Sequence, residues 1–195
     1  MNTRQKQAKA SKAKIVSTAF KLFDSEGCGN VSIGDICNAA KISNGAFYHY
    51  FTSKDQLIVL WTREPLQKKI EDFIAPKIGK APTKKLVASL FEILFSWVND
   101  KGVDQSNIYY VASLQLGKID SYVQNLSYTT LLSIIEKGIE KGELSSNYSA
   151  QFYTDYLFSI LNGAAIGWNQ QAGESMLLSN GIQFIELAYD SIESL

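Results

Sequence analysis

Apolar residues recur three and four positions apart almost from end to end of this chain, and nowhere does the alternating Val/Ile/Thr pattern that strands need appear. An all-α fold is the expectation. The only prolines are Pro65, Pro76 and Pro82; "PKIGKAP" (76–82) reads as a linker or sharp turn after which a larger helical part begins, and the two domains are expected at residues 1–55 and 56–195. In the first part a helix is expected from about Lys9 to Glu26, with Ile15, Ala19, Leu22 and Phe23 on one face and Gly27 as its stop. Three elements follow quickly. Ser32 and Asp35 have capping-box spacing ahead of a helix lasting to about Ala39, and Ser43 caps a second that reaches about Tyr50. Ser53 and Gln56 repeat the box spacing ahead of a third, which runs to about Ala75. Two helices of about eight residues joined by "AKI" have the dimensions of a helix-turn-helix. In the second part helices are expected near 83–99, 105–117, 119–141, 148–171 and 174–194, the third of them stopped by Gly142.

The helix beginning at Ser43 carries "AFYHYF", a density of rings that one buried face cannot absorb. At about 100° per residue, Phe47 and Phe51 share a face and can be buried. Asn44, Gly45, Ala46, Tyr48 and His49 are then left outside. Small residues let a helix sink into a major groove, Asn44 can pair with adenine, Ala46 can touch a thymine methyl, and Tyr48 and Tyr50 offer hydroxyls to phosphates. Charge supports this placement. The formal net charge is zero, yet residues 1–54 hold eight Lys/Arg against three Asp/Glu while residues 55–195 hold eleven against sixteen. The basic part is the one that a polyanion would seek.

Other classes find less support. No segment reaches the roughly 18 apolar residues of a membrane helix, and the basic start lacks the apolar run of a signal peptide, so a cytoplasmic protein with no membrane partner is expected. Cys28 and Cys37 are too few for a disulfide framework and, with one histidine, too poor in company for zinc; both read as reduced thiols, and no metal or cofactor is expected. His49 has no neighbouring acid or nucleophile to make it a catalyst, so no catalytic residue is assigned. Lys54 stands in the first turn of its helix, where the dipole disfavours a cation. A docked phosphate would reconcile the two, and a solvated lysine is the alternative.

The stretches "IVSTAFKLFDSEGCGNVSIGDI" and "KISNGAFYHYFTSKDQL" together resemble the amino-terminal DNA-binding region of the tetracycline-repressor (TetR) family of bacterial transcription regulators. The resemblance spans about Lys14 to Leu57. It implies a three-helix DNA-binding domain followed by a helical ligand-binding and dimerisation domain. It also implies that Ser32 contacts phosphate, that Asn44, Gly45 and Ala46 face bases with Ser43 at the DNA beside them, that Tyr48, His49 and Tyr50 line groove and backbone, and that Lys54 clamps a phosphate. Two positions depart from the family pattern. Gly34 stands where many relatives carry a longer polar side chain, and Lys41 replaces the usual turn glycine, where it could add a backbone contact.

Beyond the helix-turn-helix, "IEKGIEKGEL" is similar to the family's approach to its dimerisation helices. Leu178, Ile182, Ile185, Tyr189 and Ile192 recur at intervals of four, three, four and three, while Ser159, Gly163 and Gly167 form a smooth strip on the preceding helix. Packing within one subunit accounts for the seam nearly as well as a two-fold dimer; the resemblance favours the dimer. Trp61, Phe91, Phe95, Trp97, Tyr109, Tyr110, Tyr128, Phe158, Asn162 and Trp168 are an aromatic-rich set with few charges, and the resemblance implies an effector pocket among them. The whole implies a homodimeric regulator, a repressor that an unidentified small molecule releases from a palindromic double-stranded operator. Two alternatives remain: a DNA-binding adaptor that senses no ligand, and an enzyme using the aromatic cavity.

Overall fold

The computed structural model describes residues 3–117 and 126–193, all helix, turn and loop, with no strand among them. Among the described residues eight α-helices follow one another: α1 (Thr3–Glu26), α2 (Ile33–Ala40), α3 (Asn44–Tyr50), α4 (Lys54–Phe73), α5 (Thr83–Leu116), α6 (Leu126–Glu140), α7 (Ala150–Gln170) and α8 (Leu177–Glu193). A 3-10 turn, Ala75–Lys77, follows α4 at Pro76. The two helices expected at 83–99 and 105–117 are one element broken at Gly102, whose φ of 77° and ψ of 171° are not helical. The start of the helix expected at 119 lies outside the described residues. Among them no helix is long and apolar enough to cross a membrane.

Two compact units result. One comprises the chain to Arg63 with Ile108–Leu116; the other comprises Glu64–Asn107 and the chain from Gly117 onward. In the amino-terminal unit Ile15, Ala19 and Phe23 of α1 meet Ile36 and Cys37 of α2, Phe47 of α3 and Leu57, Ile58 and Val59 of α4, with Ala112 and Leu116 of α5 completing the core. The expected stripe on α1 is thus the buried one. Each fully buried side chain of this size contributes about 1.5–3 kcal/mol. Both cysteines are free and buried, and burial pushes their thiol pKa values up.

The carboxy-terminal unit depends on close approaches. A Cβ added at Gly181 of α8 would lie 2.7 Å from the ring of Phe95, and one at Gly138 of α6 would lie 2.7 Å from Thr83 at the start of α5. Glu143 accepts from the Thr83 amide at 2.6 Å, satisfying one of the free donors that begin α5; this bond holds the Glu143 carboxyl below its usual range. Tyr128 donates to Asp155 at 2.5 Å and packs edge-on against Phe158. Asn169 donates to Ser106, a buried hydroxyl, at 3.0 Å.

Candidate nucleic-acid interface

The local chemistry of α2 and α3 follows the serines. Ser32 Oγ accepts from the Asp35 amide at 3.1 Å while the Asp35 carboxylate accepts from the Ser32 amide at 2.8 Å and from its hydroxyl at 2.5 Å. These bonds, the Ser32 hydroxyl's first, depress the Asp35 pKa. Ser43 Oγ accepts from the Ala46 amide at 3.1 Å and so starts α3. The third box differs from expectation: Gln56 reaches past Ser53 to the Thr52 amide, at 2.8 Å, and the buried Ser53 hydroxyl has no partner. Between α2 and α3 the turn is made without glycine. Lys41 adopts φ 53°, ψ 52°, and the amides of Lys41 and Ile42 return to the carbonyls of Asn38 and Cys37 at 3.1 and 3.0 Å. That closure is the one glycine usually makes, here at the strain of a left-handed lysine.

Phe47 is fully buried and Phe51 nearly so, as the helical spacing requires. Asn44, Gly45, Tyr48 and His49 are exposed, Tyr48 by 56%, and Ala46 is half-buried. Tyr50 is half-buried against the core and meets the His49 ring edge-on at 4.9 Å. It is therefore shared between anchor and surface. A Cβ on Gly45 would meet only Ser43 Oγ, at 3.8 Å, so the fold does not demand glycine there. Glycine in a helix costs up to about 1 kcal/mol relative to alanine, and no contact within the chain offsets that cost at Gly45. A Cβ on Gly34 would likewise find ordinary contact, 3.5 Å from Ser32 Oγ. Ser32, Lys41 and Ser43 are exposed on the same two helices or their caps.

Lys54 has a job that the sequence did not show. Its Nζ donates to the Cys28 carbonyl at 2.9 Å and to the Val31 carbonyl at 2.8 Å, spanning the turn that leads into α2. Two oxygen acceptors explain how a cation tolerates the positive end of α4, and neither is a phosphate. Only one of its three protons remains uncommitted. Trp61 adds a second tie, its Nε1 donating to Asp24 of α1 at 2.9 Å.

The residues singled out for a pocket fall in both units. Trp61 and Tyr109 pack on the core of the amino-terminal unit, and Tyr110 sits beside Tyr109 in the same unit. Phe91, Phe95, Trp97, Tyr128, Phe158 and Trp168 are buried in the carboxy-terminal unit, and Asn162 is half-buried there. A cavity of about 270 Å³ lies elsewhere in that unit, between Pro82, Val87 and Ala88 on one side and Ile185 and Tyr189 of α8 on the other.

The α8 seam needs correction. Ile185, Tyr189 and Ile192 are 2–3% exposed within the single chain and so pack on its own core; Leu178 and Ile182 are half-buried. The free apolar rows are others: Phe184 and Leu187 on α8, and Phe152, Tyr156 and Ile166 on α7, in line with Ser159 and Gly163. Tyr156 and Ser191 hydroxyls, 3.4 Å apart, bring the two rows side by side.

Residues 15–59 match the family "Bacterial regulatory proteins, tetR family". Over most of its length the chain is similar to the TetC protein of transposon Tn10 from Escherichia coli, 27% identical over 83% of this chain and 80% of that one. It is also similar to the fatty acid metabolism regulator protein of Bacillus subtilis, 22% identical over 97% and 99%. The fold matches a Thermus thermophilus FadR, a TetR-family transcriptional repressor solved with lauroyl-CoA, at a TM-score of 0.71, 17% identity and coverage of 93% and 94%.

Proposed function

Because the chain is a TetR-family DNA-binding transcriptional regulator, we propose that it works as a homodimeric repressor whose two α3 helices enter successive major grooves of a palindromic operator. The observation that carries this reading is the division of α3: Phe47 is sealed in the core while Asn44, Gly45, Tyr48 and His49 are presented outward. Base reading falls to Asn44 and the small residues beside it, and backbone contact to Tyr48 and His49. Ser32, at the exposed amino end of α2, and Lys41 in the turn are placed to meet phosphate. No catalytic chemistry is assigned to the site.

The dimer surface proposed is the double row on α7 and α8, where Gly163 leaves room for close approach between Phe152, Tyr156 and Ile166 and beside Phe184 and Leu187. For the effector, relatives of this fold bound to lauroyl-CoA and stearoyl-CoA support an acyl thioester, taken up by the apolar interior of α5–α8. Effector and operator then compete through two dimer forms of different affinity for DNA.

Gel-shift on duplexes from the chromosomal region flanking its gene tests both parts. Retention that weakens steeply with salt and is reversed by stearoyl-CoA, though not by free coenzyme A, is expected. Retention that no acyl thioester reverses would leave a DNA-binding adaptor. Asn44→Ala should cost about 1–3 kcal/mol on the retained duplex and little on random sequence; equal losses on both would remove Asn44 from base reading.

A further inference from the structure

We propose that the first turns of α1, residues 5–14, form a second DNA-binding surface that grips backbone phosphates flanking the groove entered by α3; this rests on the DNA-binding reading above. The helix begins at Thr3, well before the Lys9 that apolar spacing indicated. Between Gln5 and Lys14 no side chain is buried; the first to enter the core is Ile15. Ala8 and Ser11 are half-buried on the side that Ile15 continues, and the other residues of the stretch are exposed, so little packing holds these turns and their character lies in what the side chains carry. They carry charge of one sign. Lys6, Lys9, Lys12 and Lys14 lie here, and the first carboxylate of the chain is Asp24. No ion pair among the described residues holds Lys6, Lys9 or Lys14.

Lys6, Lys9 and Lys12 are each three residues apart, so they are neighbours on the helix surface and repel one another. A polyanion removes that repulsion. The position is equally specific: Lys12 Nζ lies 5.4 Å from the ring centroid of Phe51, the residue that closes α3. The basic stretch therefore leaves the core beside the end of the helix that presents Tyr48 and His49. Its exposed cations are lysines alone, point charges suited to phosphate oxygens and to no particular base.

The test is full-length protein carrying Lys6→Ala and Lys9→Ala, titrated by fluorescence anisotropy against the duplex retained in the gel-shift and against random duplex, each over a range of salt. The slope of log K against log salt should become shallower by about 1.8, and affinity at 0.15 M salt should fall roughly fivefold per lysine, equally on both duplexes. The melting temperature should not move, since neither side chain is in the core. Lys6→Glu with Lys9→Glu should deepen the same loss. An unchanged slope overturns the proposal, as does a loss confined to the retained duplex. Release of the double variant from phosphatidylglycerol vesicles that hold the wild type, with the duplex slope intact, would overturn it in favour of a membrane surface. If the wild type itself shows no salt-sensitive duplex binding, the DNA-binding reading fails, and that outcome is read before any variant is made.

Discussion

Helices α3 and α8 are both amphipathic, yet only one of them declares its orientation. In α3, seven residues long, two well-spaced phenylalanines settle the inner face, and the remaining aromatics are surplus that must look outward. In α8 a seam of Ile185, Tyr189 and Ile192 runs along one face while Phe184, at 47% exposed, and Leu187, at 70%, stand on another. Either face could have been the buried one. A helix with a single apolar stripe places itself, whereas a helix with two needs its neighbours to choose. The glycines repeat the contrast: a side chain at Gly45 would find ordinary space, while Gly181 is required by the ring of Phe95.

The contrast can be broken by substitution. Phe47→Ala empties the centre of the amino-terminal core and should cost about 3–5 kcal/mol. Hydrogen exchange should show that loss in α1–α3 and leave α6–α8 protected; an even loss across both would mean that they unfold as one. Lys54→Gln removes two charge-assisted bonds and should cost about 1.5–3 kcal/mol in thermal unfolding, with lower DNA affinity but an unchanged salt slope. A slope shallower by about 0.9 with full stability would restore Lys54 to the phosphate. Gly181→Ala forces a methyl into the Phe95 ring and should destabilise the carboxy-terminal unit by about 1–3 kcal/mol, seen in its exchange rates.

The smallest effect concerns pH. Asp35 has a folded pKa below its ordinary value, so its bonds stabilise above the ordinary carboxylate range and are lost as pH falls through the depressed value. Ser32→Ala removes the first cause of that depression. It should cost about 1 kcal/mol at neutral pH and make the acid-side loss of stability shallower, measured as unfolding midpoints against pH.

Most of the reading side of the candidate interface could be seen in the sequence because its determinants are local. A serine caps the amides two or three residues on, and a phenylalanine pair four apart shares a face, whatever surrounds them. Lys41 was seen as a departure, but its left-handed backbone was not, since only the closed turn demands it. The structural ties of Lys54 were not visible because its acceptors, Cys28 and Val31, are more than twenty residues away. The aromatic set was assembled from composition alone, and composition carries no information on which unit receives each ring.

What the sequence determined by itself was an all-helical chain, the position of a helix-turn-helix, and the face of α3 that Phe47 buries. Those follow from spacing, caps and charge, which act over a single turn of chain. The tertiary structure alone decided which face of α8 is core, why a lysine stands at the start of α4, and that α5 gives its last turns to the amino-terminal unit. Each of these depends on pairing residues distant in sequence, and burial there is granted by the partner surface rather than by the segment's own pattern.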